Sequence, residues 1–161
     1  MEHFLSLLQR YGITVAVDVR SYPFPKYAKQ FDTDCLKKSL TEAKLKYLFL
    51  GRELGGMPKD ESLYDADGHL MYDKVAALPS FVGGFQRLQR GLQNYNIALV
   101  CGEENPAGCH RRRLIAPALA KCNIELLHIR GDGRLETEAD LVALETSDLD
   151  SVGIQQLKLF S

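Results

Sequence analysis

The sequence predicts an α/β domain in three layers, a mainly parallel sheet with helices on both faces. Three observations lead there. Short apolar runs of strand length alternate with stretches of helical apolar spacing, the pattern of a parallel sheet joined by right-handed crossovers. The first strand run is almost wholly apolar up to its last residue, as a central strand covered on both sides must be. A chain of 161 residues suits one domain with a proper core and is short for two. Residues 1–161 are therefore read as a single domain, with no internal repeat, low-complexity stretch or linker.

The elements come in order. Phe4, Leu5, Leu8 and Tyr11 recur at helical spacing, and Gly12 stops that helix. Ile13 to Val19 is the first strand, and Pro23 and Pro25 then force an extended loop through Phe31. Asp32 or Thr33 caps a helix carrying Leu36, Leu40 and Ala43. Tyr47 to Leu50 is the second strand, succeeded by the permissive Gly51, Gly55 and Gly56. The 57–74 segment lacks periodicity and reads as a functional loop or lid. Phe81, Phe85, Leu88 and Leu92 mark the next helix despite Gly83, Gly84 and Gly91. Asn96 to Cys101 is the third strand, Cys109 to Lys121 a helix interrupted at Pro117, and Ile124 to Ile129 a fourth strand. The 134–161 tail holds Leu141, Leu144 and Leu149, read as a short helix against the sheet.

Composition limits the function classes. Formal net charge is −1, so a polyanion would need a local basic patch rather than a global field. Four cysteines without a disulfide pattern, and no apolar N-terminal segment of signal-peptide length, point to a reducing cytoplasm. No apolar run approaches the roughly 20 residues that span a bilayer, so no membrane partner is expected.

The chemistry concentrates between Cys101 and Ala116, CGEENPAGCHRRRLIA, at a strand-to-helix junction. Open α/β sheets bind ligands at the carboxyl ends of their strands, and a helix N-terminus favours anions. Cys109 lies where the helix should begin, beside His110 and Arg111, a setting that lowers a thiol's pKa. Cys101 closes the third strand, where most cysteines are small buried hydrophobes, and Glu103 aims at the same crevice. Asp18 and Arg20, two apart on a strand, share a face, and a carboxylate inside an apolar run needs a partner or a role. Arg52 and Glu53 end the second strand opposite these groups.

The candidate site is therefore Asp18, Glu103, Cys109 and His110 for catalysis, with Arg20, Arg52, Glu53, Cys101 and Arg111 for binding. The cysteine-phosphatase loop is disfavoured, because the arginine it needs six residues beyond the nucleophile is Ala107 or Ile115 here. Zinc is disfavoured because structural sites favour C-x₂₋₄-C pairs and the thiols here are eight apart; no metal or cofactor is expected. Cys35 and Cys122, spaced with leucines, read as core. Tyr22, Phe24 and Tyr27 with Lys26 and Lys29 form a loop mixture suited to single-stranded nucleic acid, or one that packs the loop down.

Three stretches carry a resemblance. CGEENPAGCHR resembles the C-x-E…C-H-R signature of the domain-of-unknown-function-488 family. DVRSYPFPKYAKQF, from Asp18 to Phe31, resembles its D-V-R-x-x-P segment, and FLGRELGG, from Phe49 to Gly56, matches in order. His128 to Gly133 is similar to the strand and turn that close the domain. The resemblance implies a small Rossmann-like fold often associated with nucleotides or nucleic acid, with no agreed reaction. Such proteins usually open with a strand reading like I-Y-T-I-G-H-S, whereas this chain starts at the helix; a shortened start explains this more simply than a specialised variant. Neighbours of that strand would expose unpaired backbone groups, favouring a second copy or a substitute strand.

The leading expectation is an enzyme, a hydrolase or transferase acting on a phosphate-bearing substrate such as a nucleotide or modified nucleic acid. A non-catalytic nucleotide- or nucleic-acid-binding module, or a redox or metal-linked thiol protein, are the alternatives.

Overall fold

Three strands of four residues each form the central sheet: β1 (Val15–Asp18), β2 (Lys46–Phe49) and β3 (Ile97–Val100). The computed structural model describes residues 1–146. Both β2 and β3 pair parallel with β1, giving the order β2-β1-β3. The α/β class with a parallel sheet is as the sequence predicts.

Alternation along β1 sets up the two faces. Ala16 meets Leu8 of α1 (Glu2–Arg10) and Leu36 and Leu40 of α2 (Thr33–Glu42). Val15, Val17 and Val19 meet the other layer, which holds α3 (Gly51–Leu54), α4 (Tyr72–Ala76), α5 (Pro79–Leu92) and α6 (Ala116–Ala120). Asp32 stands at the N-cap of α2 as expected, but its side chain makes no capping bond.

Several boundaries depart from expectation. The expected fourth strand, Ile124 to Ile129, is mostly not a strand. Only β4 (His128–Ile129) forms, and it pairs antiparallel with β5 (Leu135–Glu136), apart from the parallel sheet. The outer edge of β3 has no partner strand among the described residues.

The helix from His110 opens with a π turn over Arg111–Ile115 before α6. Pro117 gives the reason. Its ring collides with the carbonyl four residues back in α geometry, and the wider turn before it relieves that collision.

Segment 57–74 holds more structure than its composition promised. A 3-10 turn spans Glu61–Leu63, Tyr64 bridges Leu70, and Leu63 is buried. Cys35 and Cys122 are exposed rather than core. Cys35 lies one residue off the Leu36–Leu40 stripe, and Cys122 comes just past the end of α6. Residues 138–146 are helical with Leu141 buried, while Leu144 is exposed; Leu149 lies outside the described residues.

Adjacent glycines in α5 have opposite roles. A Cβ at Gly84 would stand 2.4 Å from Cβ of Glu53, so its bareness lets α5 touch α3, whereas a Cβ at Gly83 meets nothing within 4 Å. Gly83→Ala should raise stability by about 0.5–1 kcal/mol, the helix-propensity difference, and Gly84→Ala should lower it. Urea unfolding of both variants checks this; a shift of the same sign in both would contradict the packing.

Candidate active site

The strand ends stand level, Asp18 being in register with both Phe49 and Val100. The segments leaving the strands therefore emerge at one rim. From β1 come Asp18, Val19 and Arg20. From β3 come Cys101 and Glu103, and the helix start returns Cys109, His110 and Arg111.

Asp18 is fully buried, and four donors hold it, one of them the Arg20 backbone N–H at 3.1 Å from Oδ1. Arg20 gives Nε–H to Oδ1 at 2.9 Å and Nη2–H to Oδ2 at 2.6 Å, while the Tyr47 hydroxyl donates to Oδ2 at 2.9 Å. Arg20 also donates to the Phe31 carbonyl at 2.9 Å, tying down the proline loop. Burial opposes the Arg20 charge, but hydrogen bonding and attraction from Asp18 outweigh it and raise its pKa. Burial, reinforced by the Asp18 charge, pushes the Tyr47 hydroxyl well above its ordinary range.

The second cluster is built around sulfur. Cys101 Sγ lies 2.7 Å from Glu103 Oε2, 3.4 Å from His110 Nδ1 and 3.3 Å from Cys109 Sγ. Cys109 Sγ lies 3.5 Å from Glu103 Oε2. Arg111 donates Nε–H to Cys109 Sγ at 3.1 Å and Nη2–H to the Glu103 carbonyl at 2.8 Å. His110 Nε2 is 3.0 Å from the Val19 carbonyl. A carbonyl only accepts, so Nε2 carries a proton, and Nδ1 is the ring atom that faces Cys101. His110 is seated by Gly56, where a Cβ would stand 2.6 Å from the His110 Cβ.

The two thiols diverge in acidity. Hydrogen bonds from Cys101 and Arg111 pull Cys109 well below the ordinary thiol range against its burial. Cys101 moves the opposite way, raised by its bond to Cys109, by burial and by Glu103. Cys109 is fully buried and Cys101 only partly, so anything arriving from solvent meets Cys101 first.

The remaining expected residues lie elsewhere or do other work. Arg52 is exposed on α3. Glu53 turns to α5 and pairs with Arg87 at 3.2 Å. Of the three consecutive arginines only Arg111 reaches the sulfurs. Arg112 clamps Glu138 and Glu145 of the C-terminal helix, and Arg113 donates to the Ala107 carbonyl. Tyr22, Phe24 and Tyr27 are 54%, 68% and 90% exposed, so they do not pack their loop onto the domain.

One residue had no sequence signal. His128 is buried, and its Nε2 has no hydrogen-bond partner. Burial and the nearby Arg111 charge lower its pKa, keeping it neutral. It lines a groove of about 520 Å³ together with Cys101 and Arg111. Consecutive residues from Tyr95 to Cys101 line this groove, so it runs along the open edge of β3, with Ile124 to Ile129 opposite and apolar residues of α1 and α5 as walls. No helix among the described residues is long and apolar enough to cross a membrane.

A family model described as domain of unknown function DUF488 matches residues 1–117, a span that includes the three parallel strands and the sulfur cluster. No curated protein and no solved structure matches the chain.

The Asp18 network yields a stability prediction. Arg20→Leu strands a buried carboxylate and should cost about 3–5 kcal/mol, the usual penalty for breaking a buried pair. Tyr47→Phe removes one bond to a charged group and should cost about 1.5–3 kcal/mol. Denaturant titration measures both, and a cost below that of Tyr47→Phe for Arg20→Leu would contradict this account of the carboxylate.

Proposed function

The chain belongs to the DUF488 family, and on that premise we propose that it is a small hydrolase or transferase acting on a phosphate-bearing substrate, such as a nucleotide or modified nucleic acid. The family description carries no reaction, so the reading rests on the site. One observation carries it: sulfur, imidazole, carboxylate and guanidinium groups adjoin the polar end of an apolar groove that His128 also lines.

A volume of about 520 Å³ falls within the roughly 300–1,000 Å³ of small-molecule sites, which pair apolar walls with a few convergent polar groups. A planar apolar body such as a nucleobase suits the walls. Arg111 lies at the end where an attached anion would arrive, and His128 Nε2, buried behind the groove lining without a partner, would reach a ligand on a turn of its ring. Glu103, exposed beside Cys101, is the acid–base group on the substrate side. Asp18, expected in that role, has its carboxylate engaged by Arg20 and Tyr47 and acts instead to position the rim. A covalent role for Cys109 would require substrate to reach past Cys101.

The exposed aromatics of the proline loop favour nucleic acid as the larger form of this substrate. They project from the same rim, and bases stack on such side chains without sequence preference.

Calorimetric titration with adenosine monophosphate, and with a short single-stranded oligonucleotide, tests the reading. His128→Phe keeps the bulk but removes the ring nitrogens, and should weaken nucleotide binding by about 1–3 kcal/mol, the cost of an unmade hydrogen bond. If neither probe binds the parent protein, or if His128→Phe binds as tightly as the parent, the groove is not the substrate site.

A further inference from the structure

We propose that Cys101, Cys109, His110 and Glu103 together bind a divalent metal ion, of which zinc is the best fit. One donor atom from each lies within 4.8 Å of every other. This assignment rests on the proposed function for where the reaction occurs; it makes the two sulfurs ligands rather than reactants, and Glu103 a ligand in place of the acid–base group.

The first argument is an accounting of lone pairs. Glu103 Oε2, His110 Nδ1 and both sulfurs face one another at separations of 2.7 to 3.5 Å where contacts form. The Val19 carbonyl takes the Nε2 proton, which leaves Nδ1 as the ring atom that meets the group. The cluster thus gathers four acceptors and at most two S–H protons. Beyond those protons Arg111 gives two N–H bonds to Cys109 Sγ; a cation placed among the four would engage all of their lone pairs at once.

Geometry is the second argument. Zinc binds sulfur at about 2.3 Å and nitrogen or oxygen at about 2.0–2.2 Å, in a tetrahedron. Such bond lengths set neighbouring donors roughly 3.3–3.8 Å apart. The Cys101–His110 and Cys109–Glu103 separations, 3.4 and 3.5 Å, match this, while Cys101 stands closer to Cys109 and Glu103, at 3.3 and 2.7 Å, so these donors spread apart to admit the ion. Two thiolates with an imidazole favour zinc over harder ions.

The surroundings provide the third. A metal-bound histidine usually gives its other N–H to a carbonyl or carboxylate, which fixes ring and tautomer; His110 does so with Val19. Arg111 donates to Cys109 Sγ, offsetting the single excess negative charge of two thiolates and a carboxylate on a divalent ion. The eight-residue spacing argued against zinc only by analogy with structural knuckles. Here the strand end and the helix start bring the thiols together without a knuckle.

The test uses the full chain with the exposed Cys35 and Cys122 changed to Ser, under reducing conditions, and cobalt(II) or zinc(II) alone as probe. Cobalt should give intense visible bands of tetrahedral coordination with sulfur-to-cobalt charge transfer, saturating at one ion per chain and bleached by zinc. Cys101→Ser and Cys109→Ser should each diminish the charge-transfer band, and Cys101→Ser, at the more exposed position, serves if Cys109→Ser fails to fold. X-ray absorption on the zinc-loaded protein needs no variant and should show sulfur near 2.3 Å with lighter ligands near 2.0–2.1 Å. Absence of sulfur from the zinc shell, or a cobalt spectrum unchanged in Cys101→Ser, overturns the proposal. Metal uptake with sulfur ligands but no nucleotide binding upholds it while removing the substrate reading.

Discussion

Everything at the site depends on three parallel strands ending at the same height. Because Asp18, Phe49 and Val100 are in register, the next residue of each chain segment emerges on a common rim. A slip of one residue in either pairing would turn every side chain of that strand to the other face. Val19 could not then receive the His110 N–H, and Cys101 would leave the rim. The apolar pattern of β1, buried on both faces, holds this register, since neither face tolerates the exchange.

Positive charge is used mainly as structural bracing. Arg20 closes over Asp18 and holds the proline loop; Arg112 ties the helix over 138–146 to the π turn; Arg130 links Glu104 to the β4–β5 hairpin, holding the Glu104 carboxyl down at about 2. These pairs connect the segments that surround the sulfur cluster and stop them drifting apart. A cradle built of many free guanidiniums, the simplest picture of an anion site, is not what the arginines form. Arg111 alone stands between the cluster and the groove, which narrows any anionic group to a single point of contact.

The sequence reading succeeded where chemistry is tied to element ends. Cys101, Glu103, Cys109 and His110 meet because a strand terminus and a helix start are local features with local signals. It failed where position depends on distant packing. Glu53 pairs with Arg87 because bare Gly84 draws α5 against α3, a contact no spacing rule contains. Cys35 missed the core by one helical position, and Ile124 to Leu127 read as a strand because apolar runs look alike whether or not a partner edge is available. His128 gave no signal at all, since an orphaned nitrogen becomes visible only once everything around it is placed.

The cluster also divides its requirements unevenly along the chain. Its four donors lie within the stretch from Cys101 to His110, and closing so short a loop costs little conformational entropy, which grows only with the logarithm of loop length. Alignment is another matter, because the His110 ring takes its orientation from Val19, 91 positions away. In folding terms, the ingredients can meet early but the imidazole is set correctly only after β1 and β3 have paired. A competent centre is thus a late product of folding, and its presence reports that the sheet has formed.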